Sequence, residues 1–414
     1  MNVTMSDTSP PQTSAEALAC DAVDPLAPRR AAFALPEGVT YLVGHSLGPA
    51  PQSALSALNK TARQEWATGL VGSWNSADWI DLPQIVGARL ARLIGAEANE
   101  VIVCDSVSLN LFKVVGALLS QAPAAKTIVV EETEFPTDQY ILERLAERFG
   151  AHFLRAPRGQ GLAHLAPDHV LVMSLVDYRT AERIDMAEAE RQARASGGTI
   201  VWDLSHATGV LAVNLNANGA QYAVGCTYKY LNGGPGAPAY IYVREGLQSD
   251  LETPLAGWLG HATPFAFSPQ YIAAEGVQRF VAGTPPILSM AALNGALEVF
   301  EGLSLNALEH KTQTLGDMCL EAFERLGLSS TSPPVGTRRG GHVSLRHPDG
   351  YALSRALAAR GFQTDFRTPD TIRFGLSPLI LSYGEVWDML EVLEEILTTK
   401  AYLDPAYAVR SKVT

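Results

Sequence analysis

Residues 199–232 read TIVWDLSHATGVLAVNLNANGAQYAVGCTYKYLN, and this stretch carries most of the information about the fold. The β-branched run Thr199–Trp202 predicts a buried strand, and Ala223–Cys226 predicts the next strand along the chain. An acid, Asp203, follows the first strand directly, and a lysine, Lys229, follows the second. Because parallel sheets bind ligands at the carboxyl ends of their strands, we expect these two side chains to share one site.

The alternation of short apolar runs with amphipathic helices continues on both sides of this stretch. Further strands are predicted at Val101–Val103, Thr127–Val130, Val170–Leu175 and Ala239–Val243, and crossover helices at Ser108–Leu119 and Gln139–Phe149. After a long helical region, the chain predicts a strand at His342–Leu345, a helix at Tyr351–Ala359, a strand at Thr371–Phe374 and a last helix ending near Thr398. The sequence therefore predicts an α/β protein with a mainly parallel sheet and a smaller α+β domain.

Composition limits the classes of function. The 414-residue chain is 47% hydrophobic and carries 43 acidic against 31 basic residues, for a formal net charge of -12. Such an acidic excess opposes binding to nucleic acid or to an anionic membrane face, so neither is expected as a partner. No apolar run reaches membrane-spanning length, and four cysteines without a CxxC pair predict neither a disulfide framework nor a metal site. We expect a cytoplasmic protein.

The residues at the two strand ends suit one kind of cofactor. Burial of a lysine favours the neutral amine, which can condense with an aldehyde. A carboxylate on the neighbouring strand suits a pyridinium nitrogen, because it keeps the ring protonated and able to accept electrons. Together Lys229 and Asp203 indicate pyridoxal phosphate. Each residue also has an ordinary alternative: Asp203 caps a turn, His206 is a core histidine, and Lys229 reaches the surface.

Two further strand ends fit the same cofactor. The segment Cys104–Ser108 joins a strand to a helix, where hydroxyls, free backbone N–H groups and the helix dipole favour a phosphate. Simple capping of that helix is the alternative. Phe135 follows another strand, where its ring either stacks on a flat ligand or belongs to the core.

Taken together, these stretches resemble the kynureninase family, most closely its bacterial branch, within the type I fold of pyridoxal-phosphate enzymes that includes aspartate aminotransferase. The resemblance extends from about Tyr41 to the C-terminus. The matching motifs are GHSLGPAP from Gly44, SWNSADW from Ser73, DSVSLNLFK from Asp105, EFPTD from Glu134, VWDLSHATG from Val201, GCTYKYLNGGPG from Gly225, GWLGH from Gly257, GTPPI from Gly283 and TIRFGLSPL from Thr371. The implied fold has a large domain, with a mainly parallel seven-stranded sheet between helices, and a small α+β C-terminal domain.

The expected domain boundaries follow from this match. Residues 1–30, which begin with a cluster of serines and prolines, are predicted to be a flexible tail. Residues 31–60 are predicted to form an N-terminal segment that packs on the small domain. The large cofactor-binding domain is expected over residues 61–300 and the small domain over residues 301–414.

The resemblance implies a role for each matching residue. Lys229 would bind the cofactor covalently, Asp203 would pair with its ring nitrogen, and Tyr228 would be both a phosphate ligand and a proton donor. The other cofactor contacts would come from Val107, Ser108, Phe135, Pro136, Thr137, Asp138, Ser174 and His206, with Trp258 and Thr284 entering from a second subunit. The substrate would contact Arg373, through its α-carboxylate, and also His45, Ser46 and Trp74. A homodimer with shared active sites is implied.

The implied reaction is hydrolysis of the Cβ–Cγ bond of L-kynurenine to anthranilate and L-alanine, in tryptophan breakdown and the kynurenine route to NAD. Family members that prefer 3-hydroxykynurenine have hydrogen-bonding His and Asn where this chain has Trp74 and Thr284, so kynurenine is the expected substrate. Because His45 replaces an asparagine expected near the substrate, action on 3-hydroxykynurenine or another β-acyl alanine stays an alternative. The chain departs from the family pattern at Val43, His45, Ala181 and Leu259.

The motif GHSLG at 44–48 raises a different class of enzyme. It matches the GxSxG nucleophile elbow of α/β-hydrolases, with Ser46 as the nucleophile. Such an elbow normally follows several strands and an oxyanion-hole loop, which the short preceding segment does not provide. A third alternative, a catalytically silent dimeric binding protein on the same fold, would be favoured if the lysine were missing, but Lys229 is present.

Overall fold

The chain folds into helices and short strands over residues 9–121 and 126–410, the part that the computed structural model describes. The α-helices are α1 (Ser14–Val23), α2 (Gln52–Lys60), α3 (Ser73–Ser76), α4 (Leu82–Ile94), α5 (Val107–Ser120), α6 (Pro136–Phe149), α7 (Met186–Ser196), α8 (Leu215–Asn218), α9 (Ile287–Ala296), α10 (Leu305–Arg325), α11 (Gly350–Ala358) and α12 (Tyr383–Thr399). The strands are β1 (Thr40–Tyr41), β2 (Val101–Val103), β3 (Thr127–Glu131), β4 (His152–Ala156), β5 (His169–Ser174), β6 (Thr199–Asp203), β7 (Tyr222–Gly225), β8 (Tyr240–Val243), β9 (Ser329–Ser330), β10 (His342–Arg346), β11 (Phe362–Gln363), β12 (Asp365–Arg367) and β13 (Thr371–Gly375). Among these helices, none is long and apolar enough to cross a membrane.

Seven strands form the large sheet, in the order β2-β8-β7-β6-β5-β3-β4. Strand β8 is antiparallel to both of its neighbours, and the remaining pairs are parallel. The predicted mainly parallel sheet is therefore confirmed. Strand β4 was not predicted, because its sequence HFLRA lies at the sheet edge and is mostly half-buried or exposed, so it lacks a continuous apolar run.

The strand directions bring several loops to one edge of this sheet. Since β2 is antiparallel to β8, and β8 is antiparallel to β7, strand β2 runs in the same direction as the parallel strands. The carboxyl ends of β2, β3, β5, β6 and β7 therefore lie at the same edge, together with the start of β8. Ser174 and Asp203, at the ends of β5 and β6, are register partners there.

Both predicted crossover helices are present, but α5 is one residue longer at each end than predicted and α6 begins three residues earlier, at Pro136. Helix α5 begins after Ser106, whose hydroxyl accepts a hydrogen bond from the Leu109 N–H. Helix α6 has Pro136 in its first turn and is terminated after Phe149 by Gly150, which adopts a left-handed φ of 67°. The apolar faces of both helices pack in the buried core on the large sheet.

The chain forms two compact units. The larger comprises Leu47–Tyr178 and Arg183–Glu301 and contains the seven-stranded sheet. The smaller comprises the described part of Met1–Ser46, then Arg179–Glu182, and the described part of Gly302–Thr414. The smaller unit contains an antiparallel sheet in the order β12-β13-β10-β9 and the parallel pair β1-β11. Residues 47–60, which were expected in an N-terminal segment, belong to the larger unit, where α2 packs against α9.

The flexible tail predicted for residues 1–30 is wrong from α1 onward. The carboxylate of Asp21 accepts hydrogen bonds from the first two backbone N–H groups of α12, at 2.7 and 2.9 Å. Asp24 forms an ion pair with Lys311 at 2.6 Å, and both side chains are almost completely buried. These long-range contacts hold the helix in place despite its serine-rich start. Residues 1–8 of the predicted tail lie outside the described residues.

A buried carboxyl beside β6 should make stability depend on pH. Glu190 of α7 accepts a hydrogen bond from Trp202 Nε1 at 2.7 Å, and burial raises the pKa of Glu190 from 4.5 to about 7. The folded state holds this proton more tightly than the unfolded state, so its contribution to stability is complete below about pH 4.5 and is lost as the pH rises through about 7. We expect Glu190→Gln, which keeps an acceptor for Trp202, to lose less free energy of unfolding than the wild type between these pH values.

Urea unfolding at about pH 5 and about pH 8 measures this difference. Glu188→Gln is the control, because Glu188 is on the same helix but is paired with Arg191 at the surface. An equal pH dependence in the wild type and Glu190→Gln would contradict the prediction.

Candidate active site

A cavity of about 160 Å³ lies at the carboxyl edge of the large sheet, within the larger unit. Ten of the residues predicted to form the site line it: Val107, Ser108, Phe135, Thr137, Asp138, Ser174, Asp203, His206, Tyr228 and Lys229. Six lining residues were not predicted: Ser106, Tyr178, Ser205, Cys226, Ala237 and Ala239. The sequence stretches from separate strands therefore converge on one place, as the strand directions require.

The predicted lysine, histidine and aspartate lie together in this cavity. Lys229 Nζ is 2.8 Å from His206 Nε2. Asp203 is buried, and burial raises its pKa, while the Ser205 N–H at 2.7 Å and the positive charge of Lys229 act in the opposite direction. A buried carboxylate of this kind is stabilised by a partner that carries a proton, such as a pyridinium N–H.

A tight turn holds the lysine segment after β7. The Asn232 N–H donates to the Lys229 carbonyl at 2.8 Å, and Asn232 has a left-handed φ of 59°. Gly48 packs against the same turn, where its N–H donates to the Tyr228 carbonyl at 2.8 Å. A Cβ at Gly48 would clash with the Lys229 carbonyl oxygen, so only glycine allows this close approach.

The turn before α5 is suited to an anion. Ser106 caps the helix, and Val107 and Ser108 line the cavity at its first turn. The first backbone N–H groups of a helix have no partner within the helix, and the helix dipole adds positive potential there. A phosphate group fits this position. The two alternatives from the sequence, a cap and a phosphate site, are therefore compatible.

Two further carboxyl groups lie around the cavity. The Glu134 carboxylate accepts the Ser174 N–H at 2.8 Å and the Ser174 hydroxyl at 2.5 Å, and burial raises the pKa of Glu134 to about 7. Asp138 Oδ2 is buried with no hydrogen-bond partner among the described residues, and burial raises the Asp138 pKa well above its usual value. A buried carboxyl oxygen without a hydrogen-bond partner is available to a polar group of a ligand.

These groups fit pyridoxal phosphate. Lys229 would provide an amine for the aldehyde, Asp203 a carboxylate for the ring nitrogen, and the turn at Ser108 a place for the phosphate. Phe135 is 45% exposed, and its ring packs nearly perpendicular to Tyr178 at 5.2 Å between ring centroids, so part of its surface is open to a second ring.

Some predicted residues of the larger unit do not line the cavity of a single chain. Trp258 is 40% exposed and packs against Phe265, and Thr284 is exposed. Trp74 packs against Trp79 at 5.7 Å between ring centroids, and Pro136 occupies the first turn of α6. The predicted roles of these four residues stay predictions.

The smaller unit contains the predicted substrate residues Arg373 and His45. Arg373 forms an ion pair with Asp365, and His45 Nε2 is 3.2 Å from the same carboxylate. Burial and then the charge of Arg373 lower the His45 pKa to about 3, so His45 is neutral. Its ring stacks on His342 and has no exposed surface, so we expect any effect of His45 on a ligand to be indirect.

The serine-hydrolase alternative is not favoured by the position of Ser46. Its N–H donates to the Val43 carbonyl in a turn, and the following helix α2 begins only at Gln52, after Pro51. A nucleophile elbow enters its helix directly from the strand, so Ser46 does not occupy one.

Sequence position could have indicated some of the unpredicted cavity-lining residues but not others. Ser205 and Cys226 fall at strand ends within the stretch 199–232, and their position alone could have indicated them. Ala237 and Ala239 precede the antiparallel strand β8, and Tyr178 follows β5 by several residues. No sequence pattern marks these three.

Comparison with known proteins gives relatives across nearly the whole length. Residues 308–393 match the family model described as the kynureninase C-terminal domain. The kynureninase of Pseudomonas fluorescens is 41% identical over 414 residues, covering 97% of this chain and 100% of that protein. The kynureninase of Burkholderia pseudomallei (strain K96243) is also 41% identical, over 415 residues, with the same coverage.

Solved structures agree with the predicted fold class. The apo cysteine desulfurase from Thermococcus onnurineus NA1 superposes with a TM-score of 0.77 at 19% identity, covering 90% of this chain and 98% of that chain. A C-DES variant with glycine covalently linked to its PLP cofactor gives a TM-score of 0.76 at 17% identity, covering 86% and 97%. At such low identity these structures support the fold alone. The identity to curated proteins over 97% of the sequence identifies the chain as a member of the kynureninase family.

Proposed function

We propose that this protein binds pyridoxal phosphate and hydrolyses the Cβ–Cγ bond of L-kynurenine, releasing anthranilate and L-alanine. The observation that carries the proposal is the convergence of Lys229, Asp203 and the turn at Ser108 on one cavity. The 41% identity to curated kynureninases supports the choice of reaction.

The cavity residues would hold the cofactor by complementary chemistry. Lys229 would bind its aldehyde carbon, Asp203 would keep the ring nitrogen protonated, and Phe135 would stack on the ring. Val107 and Ser108 would hold the phosphate. When bound, the cofactor supplies an electron sink that allows bonds at Cα and Cβ of the substrate to break.

Two side chains move protons in the proposed reaction. The Lys229 amine, oriented by His206 at 2.8 Å, would take the proton from the substrate Cα and return it to Cα before alanine leaves. The Tyr228 hydroxyl keeps its proton, because burial raises its pKa above the usual value, and donates it to Cβ after the bond to Cγ breaks. The oxygen of one water joins the Cγ carbonyl carbon, so the products are a carboxylate on the aromatic ring and the methyl group of alanine.

Anthranilate fluorescence tests the reaction directly. Purified protein with pyridoxal phosphate is given L-kynurenine, and 3-hydroxykynurenine is measured in parallel. We expect rapid anthranilate release, with kcat/KM higher for kynurenine. A cofactor spectrum without product from kynurenine would overturn the reaction and leave the cofactor assignment standing.

Arg373 is proposed to bind the α-carboxylate of the substrate. Its guanidinium is almost completely buried, so a carboxylate bound to it would be well shielded from water. We expect Arg373→Ala to raise KM roughly 100-fold, because a charge-assisted pair is lost, with little loss of bound cofactor. Steady-state kinetics and the cofactor absorbance measure the two effects.

Arg367→Ala is the matched control for Arg373→Ala. Arg367 lies 3.1 Å from the same Asp365 carboxylate, but its side chain is 48% exposed. We expect its KM to stay within about twofold of the wild type, since a half-exposed ion pair contributes little. An unchanged KM in Arg373→Ala would remove Arg373 from the substrate site.

We also propose a homodimer with shared active sites. Trp258 and Thr284, which lie outside the cavity of their own chain, are exposed and available to a partner. Phe265, Phe267 and Ile272 form further exposed apolar surface in the same segment, which favours burial against a second copy. Sedimentation of the holoenzyme tests this proposal, and a monomer would contradict it.

A further inference from the structure

Lys113 is a fully buried lysine in the larger unit, and the proposed reaction does not use it. It lies on α5, and its ammonium forms an ion pair with Asp105 in the strand-to-helix turn. The Nζ atom also donates to the Phe280 carbonyl at 2.6 Å. An ammonium taken out of water is destabilising unless it is well paired, and these contacts supply that pairing.

Asp105, its partner, adopts an unusual backbone conformation. Its φ of 46° is left-handed, which is uncommon for a residue with a side chain. The Ala239 N–H donates to the Asp105 carbonyl at 2.7 Å, and the Asn110 amide donates to the neighbouring Cys104 carbonyl at 2.8 Å. The turn is therefore fixed on one side by β8 and on the other by two side chains of α5, Lys113 and Asn110.

The charge of Asp105 also matters for an anion bound at this turn. Asp105 is followed directly by Ser106, Val107 and Ser108, which line the cavity. A carboxylate so close to a phosphate would repel it, and an ammonium in contact with that carboxylate cancels the repulsion. Lys113 thus affects both the geometry and the electrostatic potential of the turn.

We propose that Lys113 is a positioning residue for the cofactor phosphate, acting through Asp105 on the turn that carries Val107 and Ser108. The inference rests on the proposed function, in which the phosphate lies at the start of α5. Lys113 is not among the residues that line the cavity, so its proposed action is indirect. Its removal should weaken the binding of a phosphorylated cofactor specifically.

The test compares pyridoxal phosphate with pyridoxal, which lacks the phosphate. Both dissociation constants are measured by absorbance titration for the wild type and for Lys113→Met, which keeps the apolar stem without the charge. We expect the dissociation constant of pyridoxal phosphate to rise about tenfold or more, equivalent to about 1.4 kcal/mol, while that of pyridoxal changes less than about twofold. A purely structural role would weaken both ligands equally, and that result would overturn the proposal.

Lys311→Met is the matched control. Lys311 is also buried and paired with an aspartate, Asp24, but it belongs to the smaller unit. Its substitution should lower the melting temperature without changing the preference for pyridoxal phosphate over pyridoxal. If Lys113→Met fails to fold, Lys113→Gln, which keeps a hydrogen-bond donor for Asp105 but not the charge, is measured instead. If the ratio of the dissociation constants for pyridoxal and pyridoxal phosphate then stays within about twofold of the wild-type ratio, the proposal is overturned.

Ser108→Asp separates this inference from the proposed function. A carboxylate at Ser108, which lines the cavity, should strongly reduce binding of pyridoxal phosphate if the phosphate lies there. If Ser108→Asp lowers the preference for pyridoxal phosphate and Lys113→Met does not, the role of Lys113 is wrong and the phosphate site stands. If Ser108→Asp has no effect, the phosphate site is wrong and the inference fails with it.

Discussion

Lys229→Ala should release no measurable anthranilate, with kcat lowered by about 10,000-fold or more. The Lys229 amine is expected both to bind the cofactor covalently and to move the Cα proton, so one substitution removes two functions. Among the described residues that line the cavity, Lys229 is the only one with an amine, so no neighbour can take over either task. Stopped assays with L-kynurenine and saturating pyridoxal phosphate measure the loss.

Borohydride reduction identifies the covalent bond independently of activity. In the wild type, reduction should attach the cofactor to the peptide that contains Lys229, which mass spectrometry locates. Lys60→Ala, at a side chain that is 65% exposed, is the control and should keep full activity and full labelling. Labelling of a different lysine, or turnover by Lys229→Ala, would contradict the assignment.

Asp203→Asn should lower kcat by about 1,000-fold while the cofactor still binds. The asparagine amide has nearly the same shape as the carboxylate. Its oxygen can still accept the hydrogen bond from the Ser205 N–H, which in the wild type lies 2.7 Å from the carboxylate. It carries no negative charge, however, and so cannot stabilise a proton on the ring nitrogen. The loss should therefore appear in kcat rather than in cofactor content.

Asp203→Glu provides the complementary measurement. It restores the negative charge one methylene further out, so part of the lost kcat should return even though the geometry is altered. The three proteins are compared at equal cofactor occupancy, determined from absorbance. A kcat within about tenfold of the wild type in Asp203→Asn would exclude Asp203 from the proposed role.

Local patterns were sufficient to predict most of the large sheet. Strand β6 is almost completely buried and β7 completely buried, so their apolar sequences are continuous and easy to recognise. Because the neighbouring strands are parallel, positions directly after them had to meet at one edge, and this is why Asp203 and Lys229 could be paired from the sequence. Half-buried β4, at the edge, gave no such signal.

The features that could not be predicted depend on contacts between distant residues. Helix α1 is held by Asp21 and by the ion pair of Asp24 with Lys311, and neither partner is visible in a serine-rich N-terminus. Likewise, His45 looked like a substrate residue because of its position in a motif. Only the structure shows that His45 contacts Asp365 and that its ring is completely buried.

The pairing of β2 with β8 has a consequence for biosynthesis. Cys104 and Asp105 exchange backbone hydrogen bonds with Ala239, which is made only after the lysine segment at Lys229. A nascent chain therefore cannot complete the turn before α5 until the ribosome has passed β8, and closing so large a loop slows folding. Cofactor capture during synthesis should consequently be a late event, and chains that stall before Ala239 should emerge without the cofactor.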